Sequence, residues 1–234
     1  MGDRALAVDE IRSLVGNDDA VQDAAVVRAN LTKWIRVELL EQATGTTDPA
    51  IASTANLDAR LAAGLTALAV ANPDAGRERY DAGPEVSGTV CLGAIPVTPA
   101  EVAEQVLADL AGGLSFAEAA ATYSSDPGLA DSGGVVLNAD GSECFAVTDV
   151  NPDIVGPVVE AGVGVPVVVL LGEITAVVQI RPYVELSADA QLELSTAAMN
   201  TTRLPELIAA ATIYVDPRYG TWNAATADVD PLQA

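Results

Sequence analysis

The chain has 234 residues, half of them hydrophobic, so it is long enough to bury a full core in one large domain or two small ones. It carries 33 Asp and Glu against 11 Lys and Arg, a net charge of −22. A surface this acidic repels nucleic-acid phosphates and anionic lipid, because it lacks the basic stripe that binding them requires. The composition therefore predicts a folded protein whose acidity serves solubility and which has no nucleic-acid partner.

Histidine is absent from the sequence. This excludes His-dependent catalytic triads and His-liganded zinc sites, and it removes the usual pH-sensitive group near neutrality. Three carboxylates near the C-terminus, Asp216, Asp228 and Asp230, have no inferred partner acid in a cleft, so acid–base pairing is not supported. We expect no metal and no cofactor.

The two cysteines, Cys91 and Cys144, are too few for a four-cysteine metal site and too far apart for a CxxC redox motif. Two interpretations stay open. They form a disulfide, which the loop-closure model values at roughly 4 kcal/mol, or they are two small buried hydrophobic residues. Each lies on or beside a predicted strand of one small domain, which favours the disulfide and an oxidising compartment.

No membrane-spanning segment is predicted. The longest apolar run, residues 163–171, is interrupted by Gly164 and Pro166 and is shorter than the ~20 residues that a membrane helix needs. The sequence starts MGDRALAVDE, without the basic and apolar regions of a signal peptide. We expect any targeting segment or lipid anchor to lie outside this sequence.

The first part of the chain predicts helices. One starts at about Asp9 and stops at Gly16, and a longer one is capped by Asn17 or Asp18. A third covers residues 57–70. The apolar positions of the long helix share one face, which makes its tryptophan a core residue: Val27, Leu31, Trp34, Ile35 and Leu39.

Residues 72–87 are rich in Pro, Gly and charge, which is typical of an inter-domain linker. The central part, residues 88–184, has helices in its first half and β-branched runs at 165–171 and 174–180. This order predicts an α+β domain with a mostly antiparallel four-stranded sheet.

The stretch 90–134 carries the clearest helix signals. Thr98 is predicted to cap a helix, with Pro99 at its first position and Glu101 completing a capping box. After a two-glycine corner, Ser115 and Glu118 form a second capping box.

The last part predicts another helix capped by Ser187, then a short helix and an extended segment at 212–215. Tyr219 and Trp222 are expected to hold the tail, which frays beyond about Asn223.

Two further patterns are weak. Residues 138–143 faintly resemble a calcium loop but lack its alternating acids, so we interpret them as a hairpin turn. The GxG at 162–164 has no third glycine and no following helix, which gives nucleotide binding little support.

The segment TPAEVAEQVLADLAGGLSFAEAAATYSSDPGLADSGG resembles the parvulin-type peptidyl-prolyl isomerases. Their pattern is a His-Ile-Leu-Val strand, a helix, F-x-x-x-A-x-x-Y-S-x-D and a Gly-Gly turn. The flanking helices and the linker resemble the SurA-like chaperones and foldases of bacterial envelopes. The resemblance implies a helical chaperone-like domain in residues 1–86, an inserted parvulin-like domain in 87–184, and a C-terminal helix and tail in 185–234 that returns to the first domain.

The chain departs from that family at its active site. Ala94 and Ala176 stand where the resemblance places the two active-site histidines, so both imidazoles are missing. Asp126 matches the position where the family carries Asp or Cys, which makes it the only surviving candidate catalytic residue. The alternative is that Asp126 caps the turn before Pro127 and has a structural role. Val150 and Ile154 match the Met and Phe of the proline pocket, and with the two alanines they are the candidate substrate-binding residues.

To catalyse the isomerisation of an X-Pro bond, a protein must lower a barrier of ~20 kcal/mol, and no covalent step is needed, so activity does not strictly require the histidines. Two alanines nevertheless leave nothing polar to organise the pocket. The resemblance thus implies an extracytoplasmic chaperone or foldase, secreted or lipid-anchored, which binds unfolded or extended polypeptide through an inactive parvulin module. The alternatives are a slow isomerase that uses Asp126 and an envelope scaffold that binds one dedicated partner.

Overall fold

The computed structural model describes residues 5–13, 23–46 and 54–232. The fold is α+β and divides into two compact units: unit 1 is Met1–Ala75 with Ser195–Ala234, and unit 2 is Gly76–Leu194. The helices are α1 Val8–Ser13, α2 Ala24–Thr44, α3 Leu57–Ala71, α4 Pro73–Asp81, α5 Pro84–Ser87, α6 Val102–Ala111, α7 Phe116–Tyr123, α8 Pro127–Asp131, α9 Pro152–Ala161, α10 Ala188–Thr201 and α11 Arg203–Ala210. The strands are β1 Thr89–Val97, β2 Cys144–Ala146, β3 Val167–Leu171, β4 Ile174–Ile180, β5 Thr221–Asn223 and β6 Asp228–Asp230.

The core of unit 1 forms around α2. As predicted, Trp34 and the apolar residues at helical spacing around it are buried there. The helix begins after Asp23, whose Oδ1 accepts a hydrogen bond from Ala25 N at 2.8 Å. The predicted stop at Gly16 and the predicted caps Asn17 and Asp18 lie outside the described residues.

Helices α2 and α3 pack closely around one glycine and one buried ion cluster. Gly64 faces Leu40, and a Cβ at position 64 would lie 2.8 Å from the Leu40 Cβ. Beside it, Arg60 donates two hydrogen bonds to Glu41, of 2.6 and 2.8 Å, and one to Glu38 of 3.3 Å. The bond to Glu41 raises the pKa of Arg60, so the guanidinium stays charged. A small residue and a buried ion cluster together set this helix spacing.

The C-terminal tail is ordered further than the sequence suggests. Strands β5 and β6 form an antiparallel hairpin, and Val229 is buried in the core of unit 1. Its N–H donates to the Thr32 hydroxyl at 2.9 Å, and Arg36 donates to the Asp228 carboxylate at 3.2 Å. The prediction that the tail frays beyond Asn223 is therefore wrong through residue 230, because this hairpin packs on α2.

Unit 2 contains a four-stranded antiparallel sheet in the order β2-β1-β4-β3. This confirms the predicted sheet, and the two β-branched runs form β3 and β4. Helices α6 and α7 cover the face that carries Ile95 and Val177. Helix α9 covers the opposite face, where Val158 is fully buried.

The segment 72–87 is helical rather than an irregular linker. Pro73 and Pro84 open α4 and α5, where a helix does not need the missing N–H. The buried Tyr80 hydroxyl donates to the Arg181 carbonyl at 2.9 Å and accepts from Cys91 N at 3.3 Å. These contacts attach the segment to the sheet of unit 2, and the boundary between the units falls inside α4.

Of the two predicted capping boxes, one forms. Ser115 and Glu118 exchange reciprocal bonds at the start of α7, which confirms that box. The Thr98 box is wrong, because α6 begins only at Val102. The N–H groups of Val102 and Ala103 bond to carbonyls three residues earlier, and this tight turn displaces the helix start from Thr98.

Cys91 and Cys144 occupy facing positions on β1 and β2 and are joined by a disulfide. The bond links residues 53 positions apart and closes over α6, α7 and α8. Both cysteines are buried in the core of unit 2.

Reduction is expected to lower the free energy of unfolding by roughly 4 kcal/mol, because the unfolded chain regains the entropy of this loop. Urea unfolding with and without dithiothreitol measures the loss. The double variant Cys91→Ala/Cys144→Ala is the control and should not respond to reductant. An unchanged midpoint after reduction verified by mass would contradict the expectation.

Gly64→Ala is expected to destabilise the protein by about 1–3 kcal/mol, because α2 and α3 must separate to admit the new Cβ. Gly156→Ala in α9 is the matched control, since a Cβ there meets nothing within 4 Å. The free energy of unfolding of this control should rise by between about 0 and 1 kcal/mol, because the higher helix propensity of alanine is partly offset by crowding against Pro157. Equal stability of the two variants in urea would disprove the close approach at Gly64.

Candidate functional site

The register of β1 and β4 brings the two alanines together. Ala94 pairs with Val178, and Pro96 pairs with Ala176. Paired residues and residues two apart on a strand share a face, so Ala94 and Ala176 are diagonal neighbours on the face covered by α9. Two methyl groups therefore stand where the resemblance places a pair of imidazoles.

The start of α9 completes an apolar cluster on this face. Asn151 caps the helix by accepting a hydrogen bond from Asp153 N at 2.9 Å, which fixes the turn between Val150 and Ile154. Val150 and Ala176 are buried in one cluster, and Ile154 and Ala94 pack against it. The structure thus brings the four candidate substrate-binding residues into one cluster. Ala176 is 5% exposed and Val150 is 9% exposed, so little of their surface is open to a ligand.

The Gly-Gly turn at 133–134 holds β1 in place beside this cluster. Gly134 has φ +84°, and its carbonyl accepts a hydrogen bond from Ala94 N at 2.8 Å. A Cβ at Gly134 would lie 2.9 Å from the Phe116 ring. Only glycine allows both the backbone conformation and the close approach, so this part of the motif serves architecture.

Asp126 is exposed and caps a helix. Its Oδ1 accepts hydrogen bonds from Gly128 N at 2.8 Å and Leu129 N at 3.1 Å, at the start of α8. The preceding Ser125 N donates to the Pro96 carbonyl at 2.8 Å, which places the loop beside the end of β1. The hydrogen bonds of this carboxylate go to α8 rather than to the apolar cluster, and its catalytic role stays a prediction.

Three polar residues beside the cluster were missed by the sequence reasoning. Burial raises the pKa of Tyr80 to about 12, so its hydroxyl stays neutral. Arg181 donates to Glu143 at 2.6 Å; burial opposes the charge of Glu143, but the hydrogen bonds from Ser187 and Arg181 outweigh it and lower its pKa. The sequence signal for this group was Arg181, a single arginine that directly follows the buried strand β4. All three polar side chains are engaged in structural bonds.

Residues 138–143 form a turn, as predicted, in which Asn138 Oδ1 accepts from Asp140 N and Ser142 N, both at 2.9 Å. The described residues hold no group of three or more His, Cys, Asp or Glu side chains that could bind a metal. Within the described ranges, no helix combines the length and the apolar character that crossing a membrane requires.

Unit 1 contains a groove of about 610 Å³ that the sequence reasoning did not find. We call it the unit 1 groove; its main apolar lining is Leu6, Val8 and Ile11 from the first segment, Leu31, Trp34, Ile35 and Leu39 from α2, and Ile213, Tyr214, Val215 and Tyr219 from the chain after α11. Polar atoms come from Gln42, Thr212, Asp216 and Arg218. Asp216 and Arg218 pair with each other at 2.6 Å, and this pairing lowers the pKa of Asp216 to about 2. The stripe of α2 was predicted as core, and only the return of the C-terminal segment turns it into the wall of a groove.

Asp126→Ala is expected to cost about 0.5–2 kcal/mol of stability, because α8 loses its N-cap. Asp126→Asn should keep the stability within about 0.5 kcal/mol, since asparagine caps equally well. Urea unfolding measures both variants. Equal losses in the two would show that the carboxylate charge, rather than the cap, stabilises this loop.

No protein-family model matches the chain, and no curated protein matches it. Solved structures similar to this chain include PrsA from Bacillus subtilis, with 17% identity, a TM-score of 0.35, and coverage of 88% of this chain and 82% of the other. The foldase protein PrsA from Streptococcus pneumoniae shows 18% identity and a TM-score of 0.34, covering 89% and 90%. The peptidylprolyl isomerase PrsA from Bacillus anthracis shows 14% identity and a TM-score of 0.34, covering 89% and 95%. These values are too low to assign a family or an activity, so the functional conclusion rests on the sites themselves.

Proposed function

We propose that this protein is an extracytoplasmic, SurA-like chaperone or foldase that binds unfolded or extended polypeptide. In this proposal unit 1 binds the client, and unit 2 is a parvulin-like module without efficient isomerase activity. The observation that carries the proposal is the unit 1 groove, an apolar recess on a chain of net charge −22.

The groove has the size and lining of a ligand site. Its volume lies within the ~300–1,000 Å³ that is common for binding pockets, and most of its lining is apolar. Val8 and Tyr214 are exposed to solvent at its border. An acidic surface keeps the free protein soluble while such apolar side chains stay accessible. Binding of this kind needs no metal and no cofactor.

The apolar face of unit 2 supports the absence of efficient catalysis. Isomerisation requires a shaped pocket that favours the twisted amide over the planar one. At this face Ala94 and Ala176 offer methyl groups, and Ala176 and Val150 are largely covered. A prolyl peptide would find little open surface and no paired imidazoles there.

The proposed location also has physical support. The buried disulfide between Cys91 and Cys144 is of the kind that persists in oxidising compartments. A secreted or lipid-anchored protein of the cell envelope meets that condition.

Suppression of aggregation tests the chaperone proposal. The wild-type protein is expected to reduce light scattering of several unrelated unfolded clients, and Val8→Asp should weaken this at least threefold by charging the groove. Val70→Asp is the matched control: Val70 lies on α3 of the same unit, is 68% exposed against 41% for Val8, and does not line the groove. Binding to a single folded partner, with no effect on unfolded clients, would favour a scaffold and overturn the proposal.

A proline-peptide assay coupled to a protease tests the statement on catalysis. No acceleration above the uncatalysed rate is expected. Acceleration that disappears in Asp126→Asn, a variant that should keep the α8 cap, would assign a slow isomerase instead.

A further inference from the structure

The chain after α11 has the alternating burial of a β-strand. Ala211, Ile213 and Val215 are half-buried and pack against the core of unit 1. Thr212 and Tyr214 are exposed, and Tyr214 is 83% exposed. A period of two is the signature of an extended backbone, and the sequence is rich in β-branched and aromatic residues.

The backbone of this segment has no strand partner among the described residues. The last helical bond before it runs from Ala211 N to the Ile208 carbonyl at 3.2 Å, and the next turn closes from Tyr219 N to the Asp216 carbonyl at 2.9 Å. Within the described part of the chain, no backbone-to-backbone bond involves residues 212–215. An extended segment with unpaired N–H and C=O groups is a template for another strand.

The same segment forms one wall of the unit 1 groove. Ile213 and Val215 line it together with Ile11 of α1 and Trp34 and Ile35 of α2. A strand laid beside residues 212–215 would direct every second side chain into this apolar recess and the others to solvent.

We propose that residues 212–215 pair with an extended apolar segment of a client polypeptide, which adds to this edge as a strand and places alternate side chains in the unit 1 groove. This inference rests on the proposed function and specifies its binding mode. Backbone pairing does not depend on client sequence, so one edge serves many clients. The net charge of −22 disfavours acidic segments, so the client segment is neutral or basic.

The binding test uses a neutral ten-residue peptide in which valine alternates with threonine, and the full-length protein as Trp222→Phe. This variant leaves Trp34, which lines the groove, as the only tryptophan. The peptide is expected to change Trp34 emission and to slow amide exchange in residues 212–215. An analogue of the same sequence with N-methyl groups on every residue should bind at least tenfold more weakly, because it cannot donate backbone hydrogen bonds.

Single prolines at positions 212, 213 and 214 then test which N–H groups pair, each against alanine at the same position. Neighbouring strand residues point their N–H groups to opposite edges, so binding should fall at least fivefold either at 213 alone or at both 212 and 214. Thermal unfolding checks that each variant is folded.

The possible results separate the two proposals. Strand addition would be overturned if the proline variants bound the peptide as well as their alanine counterparts and the N-methyl peptide bound as well as the parent peptide. If the protein still suppressed aggregation, the chaperone proposal would stand. If the wild-type protein neither bound the peptide nor suppressed aggregation, both the strand-addition proposal and the chaperone proposal would be overturned. A Trp34 response to a fatty acid but not to the peptide would assign the groove to lipid, and concentration-dependent dimerisation that blocks the peptide would assign it to a second copy.

Discussion

The structure of unit 2 depends on the pairing of strand β1 along both of its edges. Strand β1 bonds to β2 along one edge and to β4 along the other, and its Cys91 forms the disulfide with Cys144 of β2. Helices α6, α7 and α9 are positioned by the two faces of this strand and its partner β4. The helix caps and glycines of residues 90–134 bring the chain back to β1, where the Gly134 carbonyl accepts a hydrogen bond from Ala94 N.

Two buried polar clusters hold elements of this protein together. Tyr80, Arg181 and Glu143 tie α4 and the loop before β2 to the end of the sheet. In unit 1, Arg60 of α3 bonds to Glu38 and Glu41 of α2 and so joins these two helices. Buried side chains whose hydrogen bonds join two elements in this way make the core more rigid. This agrees with the proposal that unit 2 lacks efficient isomerase activity.

The two units differ in what they offer to a ligand. The candidate face of unit 2 is covered by α9, whereas unit 1 presents an apolar groove. Residues 212–215 border this groove, and their backbone has no backbone partner among the residues that the structure describes. Charge is distributed unequally too: unit 2 has 18 acidic residues against three arginines. The proposed division of labour, with client binding in unit 1, follows from these differences in accessibility.

The sequence by itself determined the elements whose signals are local. Helix periodicity around Trp34, the capping box at Ser115 and the β-branched runs of β3 and β4 depend on neighbours a few residues away, and all were predictable. The four-stranded antiparallel sheet followed from the order of these elements. The start of α6 at Val102 reflects a local tight turn that the capping pattern did not reveal. Long-range packing decided much of the rest: it attached the Pro-rich segment 72–87 to the sheet by burying Tyr80, and it ordered the tail by docking Val229 on α2. The cap that Asp126 provides for α8 is local as well, since its partners lie two and three residues further along the chain. Only the tertiary structure could show that residues 211–215 close a groove against α2, because these contacts depend on where distant segments meet.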